Sequence, residues 1–263
     1  MKRAILVSAI TAFLFMGHIG CKKESDSLTG PTPTENYFPS NEGTYYKFYY
    51  SRTDSLGSLI EGTRSTRYMG TKVILSTIYK NQIDSFLVAS ALEVDTAHFR
   101  DTTSGAYYFI DTSGFAASIE DSTLLQFLPF LTIDNEMLAY SFPLQTGKFW
   151  TVFKMNLVYP GLPITTLVDV SATVIGKETI SLNLLTGQVN KEAMKIKYTL
   201  ALRKNPLSQA TQTFTAHAWL IVDVGPAKWY GSGTIVNAFT GLGIDFGDTT
   251  TVVNQSLIDY EIK

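Results

Sequence analysis

From residue 37 onward apolar and polar residues trade places with a period of two, the pattern of β-strands buried on one face. In Thr44 to Ser51, Tyr46, Phe48 and Tyr50 share a face. Two further strands are expected at Thr71 to Tyr79 and Ser85 to Val94, joined at Lys80-Asn81-Gln82. The second aligns Phe86, Val88, Leu92 and Val94. Ala106 to Asp111 follows, between Gly105 and a Ser113-Gly114 turn. The alternation is cleanest at Val168, Val170, Ala172 and Val174, at Met194 through Leu202, and at Phe214 through Val224. The chain closes on Ile258, Tyr260 and Ile262. Several of these strands run about ten residues, against a usual five or six. Long antiparallel strands with one apolar face twist and curl. The predicted fold is therefore mainly β, one antiparallel, strongly curved sheet or open barrel.

One stretch departs from the alternation. Ser118 to Leu128 places Ile119, Leu124, Leu125 and Leu128 at helical spacing. Ser118 and Asp121 stand as a capping box, and Pro129 stops the turn from continuing. This predicts a single helix packed on the sheet, as a plug on its open side or a lid over an apolar cavity. The chain also echoes itself. Phe38-Pro39-Ser40-Asn41-Glu42-Gly43-Thr44-Tyr45-Tyr46 and Phe142-Pro143-Leu144-Gln145-Thr146-Gly147-Lys148-Phe149-Trp150 both read F-P-x-x-x-G-x-aromatic-aromatic. Each leads into a predicted strand through a glycine turn. The echo marks either two similar halves dividing near residue 140 or a recurrence of strand-initiating chemistry.

The first 36 residues obey different rules. Lys2 and Arg3 precede an apolar run from Ala4 to Met16, and Gly17-His18-Ile19-Gly20 leads into Cys21, the one cysteine of the 263 residues. A charged start, a short apolar core and a small-residue exit are the layout of a secretory signal. The run falls short of the roughly 20 apolar residues of a membrane span. Residues 1–20 are read as a signal peptide. Cys21 with the Ser/Thr/Pro-rich stretch to residue 36 is read as an anchored tether, and residues 37–263 as the β-rich domain.

Ile19-Gly20-Cys21 resembles the lipobox of bacterial lipoproteins, departing from it at His18, where that family usually carries an aliphatic residue. The resemblance implies lipid attachment at Cys21, membrane anchoring through acyl chains (palmitate among them), and a cell-envelope address. With about 0.8 kcal/mol per buried methylene, two or more chains hold a protein at a bilayer. Lys22-Lys23-Glu24 is similar to the signals that follow the cysteine in surface lipoproteins of Bacteroidetes-type bacteria, which implies the outer membrane. The F-P-x-x-x-G lead-in and the closing Leu257, Tyr260 and Ile262 look like uncharacterised lipoproteins of the same bacteria. A curved sheet with one helix also resembles the LolA/LolB half-barrels, in which a concave apolar face encloses a ligand.

Composition changes this picture little. Removing the signal with Lys2 and Arg3 takes the formal net charge from −2 to −4, so no nucleic-acid partner is indicated. A lone cysteine excludes an internal disulfide framework. The mature histidines are His98 and His217, too few and too far apart for a zinc site. No serine-nucleophile elbow is present, and Gly231-Ser232-Gly233 reads as turn chemistry. Gly241, Gly243 and Gly247 form no phosphate-binding pattern. Asp223, Asp245 and Asp248 read as turn residues and lack a calcium-ligand ladder. Trp150, Trp219, Trp229 and Tyr230 suit core packing better than sugar stacking. No catalytic or metal site and no cofactor is expected. The expected protein is a non-enzymatic envelope lipoprotein that binds an apolar ligand or an envelope partner. The competing expectation is a carbohydrate- or protein-adhesion module on a β-sandwich.

Overall fold

A computed structural model describes residues 35–111, 128–161, 163–203, 210–240 and 250–263. Cys21 and the predicted helix at 118–128, save its last residue, lie outside them. The strands are β1 (Tyr45–Thr53), β2 (Leu59–Ile74), β3 (Thr77–Val88), β4 (Ala91–Thr102), β5 (Gly105–Phe109), β6 (Leu131–Ile133) and β7 (Glu136–Ser141). The second run is β8 (Phe149–Leu157), β9 (Thr165–Leu184), β10 (Gly187–Leu202), β11 (Gln212–Ile221), β12 (Gly225–Ser232) and β13 (Val252–Glu261). Among the described residues the single α-helix is α1 (Gly233–Phe239), and Leu128–Phe130 is a 3-10 turn. All strands join one open antiparallel sheet in the order β6-β8-β9-β10-β11-β12-β13-β1-β2-β3-β4-β5-β7. A sandwich is thereby replaced by one continuous sheet.

The sheet curls until its ends approach. Two residues, Asp134 and Asn135, join β6 at one end of the sheet to β7 at the other. The Trp150 indole N–H donates to the Leu138 carbonyl of β7 at 3.0 Å, and the Tyr198 hydroxyl donates to the next, Ala139, at 2.9 Å. These side chains blunt an edge that would otherwise offer a row of unpaired carbonyls.

Most of the alternation survives: Tyr46, Phe48 and Tyr50 are buried, as are Val168, Ala172, Val174 and Met194 through Leu202 on alternate positions. In β13 a bulge opposite Lys47 and Phe48 skips Ile258, so Leu257, Tyr260 and Ile262 all reach the core. One expectation fails. The β2–β3 turn is Leu75-Ser76 and the β3–β4 turn is Ala89-Ser90, while Lys80-Asn81-Gln82 runs inside β3. Phe86 is buried, but Leu92 and Val94 lie beyond the turn and are exposed. Neither turn carries the Asn-Gly chemistry that announces a two-residue hairpin. All four turn residues have positive φ, at 47°, 65°, 48° and 68°.

A circular barrel of thirteen strands would enclose an open lumen, since about eight suffice for side chains to fill one. Among the described residues the interior is packed. Phe239 of α1 stacks on Trp229, ring centroids 5.2 Å apart, and lies 4.7 Å from Tyr198. Ile235 and Val236 are buried beside it. The gap bounded by Met137, Val152 and Phe239 holds about 20 Å³, as does the one bounded by Tyr46, Arg64 and Trp229. Either has room for about one water.

Both echoed lead-ins do the same work. The Gly43 N–H donates to the Tyr68 carbonyl of β2, and the Gly147 N–H to the Val174 carbonyl of β9, each at 2.8 Å. Thr44 N–H returns to Asn41 at 3.0 Å and Lys148 N–H to Gln145 at 2.9 Å. The two glycines sit at φ 89° and 83°, left-handed values that disfavour a side chain. A bulge follows each acceptor, at Met69-Gly70 in β2 and Ile175-Gly176 in β9. Phe142–Pro143 is cis and Phe38–Pro39 is not.

Candidate functional site

Because neighbouring strands are antiparallel, the end of β1, the start of β2, the end of β3 and the start of β4 converge on one end of the sheet. The N-terminal lead-in, residues 35–44, joins β1 at the opposite end. The converging ends enclose a recess of about 230 Å³ lined by Tyr50, Arg52, Ile60, Phe86, Val88 and Ala91, with Glu93 on its edge. Tyr50 and Phe86 meet edge to face at 5.8 Å and form its floor. Leu56 is exposed in the β1–β2 turn, and on the opposite face of the same strand ends Leu59, Leu87, Leu92 and Val94 are exposed, with Leu87 facing Leu92 across the strands. Exposed aliphatics concentrated in one region mark a contact surface. The volume falls below the roughly 300–1,000 Å³ of a small-molecule site. It suits one apolar group inserted from a larger body.

Beneath the floor lies a buried polar network that the sequence does not announce. The Arg64 guanidinium sits 5.1 Å from the Phe48 ring centroid and 5.9 Å from that of Phe86. Its Nε and Nη2 donate to Asp84 Oδ1 at 2.9 and 2.7 Å, and Nη1 donates to Gln255 Oε1 at 2.9 Å. Asp84 also accepts from Thr66 at 2.5 Å and from Gln82 at 2.7 Å. The Tyr108 hydroxyl donates to Gln82 at 2.7 Å. The side chains of Arg64 and Asp84 are 4% and 0% exposed, so each ion depends on the other for its compensation. The network supports the recess and pins β2 and β3 to β13. Burial pushes the Tyr68, Tyr108 and Tyr198 phenols well above their ordinary range.

A second, wide-open trough of about 770 Å³ follows the seam between β7 and β8. Its Arg100 and Glu136 satisfy one another. Arg100 donates to both Glu136 oxygens at 2.6 and 2.5 Å, and Tyr79 donates to the same carboxylate at 2.6 Å. The Arg100 bonds, foremost, hold the Glu136 carboxyl below its ordinary range.

Of the residues singled out from sequence, Cys21, Asp245 and Asp248, with Gly241, Gly243 and Gly247, lie outside the described residues. Gly231 and Ser232 end β12, and Gly233 opens α1. Asp223 occupies a left-handed turn position at φ 58°, and its N–H donates to Asn36 at 2.7 Å. His98 contacts Asn81 at 3.0 Å and Lys72 at 3.4 Å, while His217 packs 5.9 Å from Trp219. Burial, foremost, lowers both imidazole pKa values, with neighbouring lysines adding to it. Among the described residues no group of three or more metal-ligating side chains converges, and no helix is long and apolar enough to cross a membrane. Trp150, Trp219 and Trp229 are buried, while Tyr230 is exposed on β12, as are Phe149 and Tyr159 elsewhere.

No family model matches the chain, and no curated protein matches it. Among solved structures the chain is similar to a candidate lipoprotein from Parabacteroides distasonis at 15% identity and TM-score 0.44, over 88% of this chain and 100% of that one. It is similar to a candidate exported protein with a YmcC-like fold from Bacteroides fragilis at 12% identity and TM-score 0.41, over 86% and 99%. A third likeness is to the hypothetical lipoprotein YmcC from Escherichia coli at 11% identity and TM-score 0.32, over 82% and 84%. No family name passes to the chain from these likenesses.

Proposed function

We propose that the chain is a non-enzymatic lipoprotein of the bacterial envelope, anchored at Cys21 in the outer membrane, that holds an envelope protein partner through the recess at the end of β1 to β4. The observation that carries this reading is the aromatic-floored recess of about 230 Å³ at the converging strand ends, lined by Ile60, Val88 and Ala91 over Tyr50 and Phe86. The packing among the described residues supports a protein partner over a lipid cargo, because the interior gaps there, of about 20 Å³, have no room for an acyl chain. In such contacts a few anchors in well-packed pockets carry most of the affinity.

A photo-crosslinking amino acid at Ala91, on the recess wall, tests this in intact cells against the same amino acid at Leu185, exposed on the β9–β10 turn. The expected result is a discrete protein adduct from position 91 that Ile60→Asp, on the facing recess wall, abolishes. Equal adducts from both positions, or a lipid adduct from position 91, would overturn it.

A further inference from the structure

Both long hairpins pass beyond the sheet at the end where residues 35–44 lead in, and they end differently. The β9–β10 arm lies back on the body. Leu185 N–H donates to the Ile258 carbonyl of β13 at 2.8 Å, and Ile180 and Leu182 are buried. Its charges pair as Lys177–Glu192 at 2.8 Å and Lys195–Glu178 at 3.2 Å. The β2–β3 arm is held by one face only: Tyr79 is buried against Phe109 and donates to Glu136, Lys80 pairs with Asp101 at 2.7 Å, and the other face is left bare. Beyond Thr71 it extends about 15 Å, at about 3.3 Å per residue. Met69, Val73, Leu75 and Ile78 are 46%, 68%, 73% and 66% exposed. Val73 and Ile78 face each other across the strands. From Tyr68 to Ile83 there are two lysines, Lys72 and Lys80, and no acid. The apex Leu75 is held at φ 47°, a strained position for a branched side chain. A turn chosen for stability would carry Asn-Gly there.

We propose that the β2–β3 arm is a membrane-contact element that dips Val73, Leu75 and Ile78 into the acyl boundary of an anionic bilayer while Lys72 meets its headgroups. The proposal rests on the lipid-anchor reading. Fourteen residues lie between Cys21 and Asn36, a reach of at most about 50 Å. Asn36 is itself tied to the β11–β12 turn at this end of the sheet through the Asp223 N–H. The tether therefore joins the fold at this end, which it holds nearer the membrane than the recess, about 30 Å farther along β1. Short aliphatic groups bind a bilayer weakly alone, and a cation near an anionic surface adds about 1 kcal/mol. Tethering makes such weak contact effective. The consequence is orientation, with the recess turned outward from the bilayer.

The test uses the full mature lipoprotein in phosphatidylethanolamine–phosphatidylglycerol vesicles. On the anchor reading the Cys21 thiol is occupied by lipid, so Leu75→Cys, Ile78→Cys and Leu185→Cys each supply one free thiol for an environment-sensitive fluorophore. The proposal expects labels at 75 and 78 to shift to the blue and lose most of their emission to spin-labelled phospholipid. The label at 185 should do neither. A wild-type chain that takes up maleimide at Cys21 and fails to float with vesicles overturns the anchor reading and the arm proposal with it. A protein that floats but responds alike at 75, 78 and 185 overturns the arm proposal alone.

Discussion

In the meander β1 to β5 with β7, the buried positions are ring systems, Tyr46, Phe48, Tyr68, Phe86, Phe99 and Tyr108, gathered around Arg64 and Asp84. In the meander β8 to β13 the β9 and β10 positions are mainly aliphatic, Val168, Val174, Ile180, Leu182, Ile196 and Leu200, with fewer rings, at Trp150, Phe153, Tyr198, Trp219 and Trp229. Both begin with the same glycine turn and bulge, so the plan is held by backbone chemistry while the filling varies. The arms diverge in parallel. The aliphatic half folds its arm onto itself, and the aromatic half leaves one face of its arm, with Val73 and Ile78, and its recess exposed. Hydrophobic filling can be exchanged freely so long as volume is kept. A buried ion pair requires both partners together.

The largest expected effect separates these two cores. Asp84→Ala leaves the Arg64 charge buried and unpaired, and urea denaturation should show a loss of about 3–5 kcal/mol. The double change Arg64→Met with Asp84→Leu should recover most of it. A single variant as stable as wild type would mean the network does not organise the first half.

The arms come next. Leu182→Ala should cost about 2–5 kcal/mol, because it opens a cavity in a packed site. Leu75→Ala should stay within about 0.5 kcal/mol, as exposed positions do. Equal losses in thermal or urea unfolding would erase the contrast between the arms.

Tyrosines of both halves give a pH test. Unfolded phenols ionise near pH 10, while Tyr68, Tyr108 and Tyr198 keep their protons in the fold because burial raises their pKa values. Their contribution to stability is full below about pH 10 and is lost as pH rises above it. Ultraviolet titration should show these phenols ionising only with unfolding. A smooth titration of all tyrosines in the folded protein would contradict their burial.

The smallest effect has the opposite sign. Replacing Leu75-Ser76 by Asn-Gly should stabilise the protein by about 1 kcal/mol, by relieving two positive-φ residues of their strain. A loss of stability on thermal melting would show that the apex is packed after all.

The strands could be read from sequence wherever one face is buried along its whole length, as at Met194 to Leu202. Reading failed at Leu75-Ser76 and Ala89-Ser90, because residues that normally avoid left-handed backbone carry no turn signal. Past the second turn Leu92 and Val94 keep the alternation yet face solvent, so periodicity alone misplaced them. Helix α1 escaped notice because Gly233-Thr-Ile-Val-Asn-Ala-Phe239 is short, β-branched and uncapped, and tertiary burial of Ile235, Val236 and Phe239 holds it. The echo was visible because glycine turns constrain residue identity. The Arg64–Asp84 pair was not, because charges twenty residues apart meet only through the β2–β3 register.

Native mass spectrometry of the mature protein, released from membranes in mild detergent, bears most directly on the packed interior and outward recess. The account predicts the mass of the polypeptide from Cys21 plus its covalent acyl groups, with no lipid held non-covalently after activation. A stoichiometric, co-purifying lipid would contradict it and restore the carrier reading.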